Sequence, residues 1–215
     1  MEQIRSFSLF YLSFGYVSCL LCNVALHRPT TSTSVYYTDA KNIEGNACNA
    51  VDGRISTNFW RGSCYRSVDD DHYPSMTVDL GDIYDIQHVD FALREDTLRY
   101  EYYSECFNDC KSEKLSNFKI YVRNETSSHS KVCGFYSDFP TSDDIGKGII
   151  VNCSSLARYV RVKKMSEDLQ FCEMKVIANI PSASSCPKPP QSWYCRDLCY
   201  DVNGSNTCPQ MISVE

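Results

Sequence analysis

Ser75-Met-Thr-Val-Asp-Leu80 and His88-Val-Asp-Phe-Ala-Leu93 alternate apolar and polar side chains, and the alternation returns in Phe118-Lys-Ile-Tyr-Val122 and Arg158-Tyr-Val-Arg-Val-Lys163. A period of two, rich in β-branched and aromatic residues, marks half-buried strands. Gly148-Ile-Ile-Val151 and Cys172-Glu-Met-Lys-Val176 add two further runs. No window supports a long amphipathic helix. These runs predict an all-β chain, a two-sheet antiparallel sandwich of jelly-roll type. Sets such as Val89, Phe91 and Leu93, or Phe118, Ile120 and Val122, should fill the space between the sheets.

The flanks read differently. Met-Glu-Gln-Ile-Arg5 precedes an apolar run ending at Cys22, too short for a comfortable membrane span, so residues 1–22 are expected to be a secretory signal cut after Cys19 or Cys22. Thirteen cysteines on that route imply an oxidising compartment and a secreted protein whose thiols close into bridges. Sequons at Asn124, Asn152 and Asn203 agree with it. The sandwich is expected over residues 23–178 and a Pro/Ser-rich linker over 179–192. A Cys-rich tail over 193–215 would be the start of an epidermal-growth-factor-like module or a clasp. Cys186, Cys195, Cys199 and Cys208 suffice for two bridges there. The histidines at 27, 72, 88 and 129 lack zinc-ligand spacing.

A formal charge of −6 without a basic run disfavours nucleic acid and anionic lipid as partners. Gly-x-Ser-x-Gly, His-Glu-x-x-His and phosphate-cradling glycine loops are absent from the sequence, so catalysis is not expected. Asn49-Ala-Val-Asp-Gly53 instead sets two oxygen-bearing side chains around a sharp turn, a loop suited to a hard cation, with Phe171-Cys-Glu173 as the distant counterpart.

Asn23-Val-Ala-Leu-His-Arg-Pro-Thr30, Asn49-Ala-Val-Asp-Gly53, Arg61-Gly-Ser-Cys64, Val78-Asp-Leu-Gly81, Arg94-Glu-Asp96, Arg158-Tyr-Val-Arg-Val162 and Cys172-Glu-Met-Lys-Val176 together resemble the F-type lectin, or fucolectin, family. The resemblance covers residues 23 to 178 and implies a discoidin-like β-sandwich. It also implies a structural Ca²⁺ held by oxygens of Asn49, Asp52, Arg54 (carbonyl), Ser63, Cys172 (carbonyl) and Glu173. Disulfides Cys64–Cys172 and Cys133–Cys153 follow from the same resemblance, with Cys106 and Cys110 in place of a bridge that packs on the sugar.

The family's sugar-binding His, Arg-x-Asp and second basic residue map to Arg66, Arg94 with Asp96, and Lys114, with Arg99 a rival for the last. Arg94 presents a rigid fork of donors that grips vicinal hydroxyls, oriented by Asp96. Arg66 puts a fixed cation where the family has an imidazole, which suits an acidic or sulfated sugar or else closes the pocket. Tyr100, Tyr102, Tyr103 and Phe107 offer apolar ring faces. The implied function is calcium-dependent recognition of fucose-like sugars on cell-surface glycans, aided by homo-oligomerisation for avidity. The competing reading is an extracellular adhesion module. Cys22, surviving a cut after Cys19, would pair with Cys48, Cys106 or Cys110.

Overall fold

The computed structural model describes residues 19–39, 42–54, 56–95, 115–124, 129–166, 168–181 and 185–188. In chain order the strands are β1 (Cys19–Asn23), β2 (Thr30–Ser32), β3 (Tyr37–Thr38), β4 (Ile43–Glu44), β5 (Tyr65–Arg66), β6 (Ser75–Ala92), β7 (Phe118–Arg123), β8 (Lys131–Tyr136), β9 (Ile149–Lys164), β10 (Gln170–Phe171) and β11 (Glu173–Pro181). A single short helix, α1 (Ser142–Lys147), is present among the described residues. All pairings are antiparallel. The main sheet runs β1-β11-β6-β9-β7-β8 with β2 also on β6, while β5 pairs β10 and β3 pairs β4.

β6 and β9 make this sheet a sandwich. Phe91 lies opposite Ile149 and Phe118 opposite Lys164, positions that a straight β9 would separate by about 50 Å at roughly 3.3 Å per residue. Yet the Phe91 and Phe118 rings meet edge to face at 5.1 Å. Both long strands therefore fold over, their first and second halves lying in opposite layers. Phe91 also meets Phe171 at 5.3 Å, so one ring joins both layers to β10.

The bend in β6 has a local cause. The register with β9 breaks between Asp79 and Tyr84, and Gly81 sits there at φ 84°, a left-handed conformation that costs glycine little. Asp79 accepts the Gly81 N–H at 2.9 Å and takes the Arg158 fork at 2.6 and 2.8 Å, tying the two bends together.

The alternation that predicted strands is borne out by burial. Val89, Phe91, Phe118, Ile120, Val122, Val160 and Val162 are all in the core. Four of the predicted runs are, however, halves of two continuous strands, because the segments around residues 80–88 and 152–157 bend and resume their pairing after register shifts. The sandwich also begins before the expected residue 23. β1 starts at Cys19 and hydrogen-bonds along β11 as far as Pro181.

The expected partners of Cys22 are corrected as well. Cys22 is bridged to Cys186, which therefore does not belong to a self-contained tail. A cut after Cys22 would remove β1 almost entirely and half of this bridge, whereas a cut after Cys19 removes only the first residue of β1 and spares the bridge. Cys64–Cys172 and Cys133–Cys153 are both bridged, and Cys48 is disulfide-bonded. Cys106, Cys110 and residues 193–215 lie outside the described residues.

Candidate functional site

The loops between β4 and β5 gather at the end of the sandwich where β6 stops and β11 starts. A 3₁₀ turn over Ala47–Ala50 leads into Val51-Asp-Gly53, and Gly53 takes φ 75° to reverse the chain. Asp52 Oδ1 accepts the Arg54 N–H at 2.8 Å, an Asx turn that fixes its carboxylate, and the Asp52 carbonyl lies 3.0 Å from His27 Nε2. Asn49 Nδ2 donates to the carbonyls of Glu44 (3.2 Å) and Cys64 (3.4 Å), which ties this turn to the buried Ser63 and Cys64. The Cys64–Cys172 bridge then carries the connection to β11.

At that junction two carboxylates meet out of water. Glu173 is only 4% exposed, and neither of its oxygens has a hydrogen-bond partner. Burial first, then the adjacent Asp52 carboxylate, push its pKa up to about 8; the Gly53 N–H and Lys175 pull the other way without closing a bond. Asp52 is raised too, chiefly by burial, although Arg54 reaches it from solvent at 3.4 Å. Two neighbouring carboxylates, one with its oxygens unsatisfied, are donors of the kind a hard divalent cation such as Ca²⁺ takes, and Asn49, Arg54, Ser63 and Cys172 lie on the same turns or across the Cys64–Cys172 bridge. The fit rests on the orphaned oxygens of Glu173, which without a partner cost about 1–3 kcal/mol even when the carboxyl is neutral.

The predicted sugar-binding arginines are brought together beside this junction, and aromatic rings do it. A second 3₁₀ turn, Phe59–Arg61, buries Phe59 completely against the Cys64–Cys172 bridge and edge-on to Tyr36 at 5.9 Å. The Arg94 guanidinium, just beyond β6, sits 4.8 Å from the Phe59 ring centroid and 5.5 Å from that of Trp60. Arg66, on β5, lies 3.7 Å over Tyr36 and 5.9 Å from Phe59. Asp69 pairs with Arg66 at 2.5 Å, leaving the side chain 12% exposed and its Nε buried without a partner. Two cations thus flank one ring, held by stacking and pre-organised rather than free to search.

Glu95, next to Arg94, receives the Thr57 hydroxyl at 2.8 Å and donates its own N–H to the Thr57 carbonyl at 3.0 Å, anchoring the segment. Asp96, Lys114 and Arg99 lie outside the described residues, as do Tyr100, Tyr102, Tyr103 and Phe107.

Tyr36, Phe59 and Trp60 are the residues that sequence reading missed. Phe59-Trp60 stands in plain view before Arg61-Gly-Ser-Cys64, but Tyr36, distant in sequence, is brought to the site by backbone pairing, its N–H donating to the Arg66 carbonyl at 2.8 Å.

Residues 49–162 match the family model described as the NedA-like, galactose-binding domain, of the F5/F8 type C class. The chain belongs to this family. Among curated proteins, this galactose-binding-like domain is 28% identical over 167 residues to a fucolectin of the eel Anguilla anguilla, covering 75% of this chain and 94% of that one. Its fold superposes on an F-lectin from striped bass (Morone saxatilis) serum with a TM-score of 0.55 at 26% identity, covering 74% of this chain and 49% of that longer one. A fucose binding module of Streptococcus pneumoniae shares the fold at TM-score 0.53 and 23% identity, over 73% and 95% of the two chains. The discoidin-like sandwich expected from the sequence is the fold of this family.

Proposed function

We propose that this domain is a calcium-dependent, carbohydrate-binding lectin that works outside the cell on fucose-like terminal sugars. The observation that carries the reading is the pair of guanidiniums, Arg66 and Arg94, stacked around Phe59 beside the Cys64–Cys172 bridge. Rigid forks of donors recognise vicinal hydroxyls, and the half-exposed Trp60 ring offers an apolar face to the C–H side of a sugar. Kinship with proteins named fucolectins supports a glycan as ligand.

Asn49, Asp52, Arg54, Ser63, Cys172 and Glu173 would hold the ion. Its chemistry there is electrostatic, neutralising Asp52 and Glu173 so that the two loops can close on each other. The aromatic cluster then fixes where Arg94 points. The reading is of a binding protein, not a catalyst, with Asp96 and Lys114 or Arg99 completing the polar ring of contacts.

One monosaccharide held by a few hydrogen bonds binds at about millimolar Kd, so clustered copies would be needed for useful avidity. A glycan array probed with and without a chelator tests the reading, using wild type and Arg94→Ala. Calcium-dependent signals that fall at least about tenfold in Arg94→Ala, with the melting temperature unchanged, are expected. A calcium-dependent signal that survives Arg94→Ala would remove the pocket from these residues, and an array blank with the wild type would overturn the lectin reading itself.

A further inference from the structure

A second surface, away from the arginine pair, has a chemistry that neither the net charge nor any basic run announces. The outer face of the layer built from β8, β7, the second half of β9 and the first half of β6 carries Lys119, Arg123, Arg161 and Lys163. Cross-strand register sets Lys119 opposite Lys163, Tyr121 opposite Arg161 and Arg123 opposite Tyr159, with Thr77 and Phe135 continuing the rows on either side. Neighbouring strands lie about 4.8 Å apart and same-face residues about 6.6 Å apart along each strand, so four cations share a compact patch.

None of the four forms an ion pair with a described residue. Each is held by a neutral group instead: Arg123 lies 4.7 Å over Tyr159, Lys119 5.8 Å from Phe135, Lys163 5.5 Å from Tyr73, and Arg161 Nε donates to Thr77 Oγ1 at 3.0 Å. Asp79, the carboxylate that the register places on this face, is already taken up by Arg158. Directly opposed like charges such as Lys119 and Lys163 destabilise a sheet. A local rule broken without compensation in the fold points to a ligand that compensates it.

We propose that this face binds an extended sulfated polysaccharide, its sulfates meeting the four cations while sugar C–H faces lie on the half-exposed Tyr73 and Phe135 rings. The rings pre-position the cations without neutralising them, so their charge remains available to a polyanion. A flat sheet face without a projecting apolar tip does not suit insertion into a bilayer. Disulfides in the fold place the chain in an oxidising compartment, away from the anionic cytoplasmic leaflet and from nucleic acid. The patch is independent of the loop site and stands whether or not that site takes a sugar.

The test is retention of the full-length protein on immobilised heparin at about 0.15 M salt, where screening acts over roughly 8 Å. Wild type is expected to bind with marked salt dependence, and each cation removed should weaken binding about fivefold. Arg123→Gln, Arg161→Gln and Lys163→Gln combined should therefore lose roughly a hundredfold. Arg94→Ala should be retained like wild type, and desulfated heparin should fail to compete. Equal retention of the triple variant would overturn the proposal, and so would stronger binding to phosphatidylserine vesicles or single-stranded DNA than to heparin. Circular dichroism confirms that the triple variant is folded, and its melting temperature should be equal to or above that of wild type because the opposed charges are relieved.

Discussion

Glu173 links the fold to the solution conditions under which it is stable. Its carboxyl is raised from the ordinary 4.5 to about 8 by burial and by Asp52. Below about pH 4.5 native and unfolded states both hold the proton and the group is neutral in the balance. Between there and about pH 8 the unfolded chain releases the proton while the native one keeps it, so the metal-free domain loses stability as pH rises, by on the order of a few kcal/mol in all. Asp52, raised in the same direction, adds to the slope. Thermal melts of chelator-treated protein should fall steadily from pH 5 to 8.5, with Glu173→Gln flattening the decline. Added calcium should restore the wild type at pH 8 and leave Glu173→Gln unmoved. Phe59 makes a separate prediction. Truncation to alanine removes a fully buried ring under both arginines and should cost about 3–5 kcal/mol, read by denaturant titration, whereas Trp60→Ala, at an exposed position, should cost less than about 1 kcal/mol and act mainly on glycan affinity.

At the scale of elements, β1 depends on a bond far away in sequence. Five residues on a sheet edge gain little from pairing alone, and the Cys22–Cys186 bridge, spanning 164 residues, holds them against β11. Cys186→Ser should destabilise the domain by about 2–5 kcal/mol, with the β1 amides showing the largest loss of hydrogen-exchange protection. Strand existence was legible because β7 and much of β9 bury every second residue in one layer, which periodicity reads directly. Continuity across the bends was not, since Gly81 and the Asp79 and Asp82 turns look like ordinary loop punctuation until Arg158 is seen to hold them. The partner of Cys22 was likewise hidden, because a pairing between the first strand and the segment after the last depends on both lying at one edge.

For the molecule as a whole, the candidate cation loop was visible in Asn49-Ala-Val-Asp-Gly53 and Cys172-Glu173 because oxygen donors at a turn have a local signature. The aromatic bed under Arg66 and Arg94 had none, being assembled from Tyr36, Phe59 and Trp60 across two loops. The basic face was equally silent, for strands that alternate cation and ring never form a run, and the cations fall on two strands distant in sequence. Both surfaces nevertheless belong to one rigid scaffold, so loss of the cation should leave heparin retention at about the wild-type level while glycan-array signal disappears. That divergence is measurable on a single preparation by adding chelator to each assay.

The Cys22–Cys186 link has a mechanical consequence. Residues 22 and 186 stand 5.5 Å apart at their Cα atoms, so tension applied between whatever precedes the first and whatever follows the second runs through two sulfur atoms and bypasses everything between. The sandwich hangs from that knot as a closed loop outside the load path, and its ligand-facing rim would stay undistorted under shear that pulls on the chain.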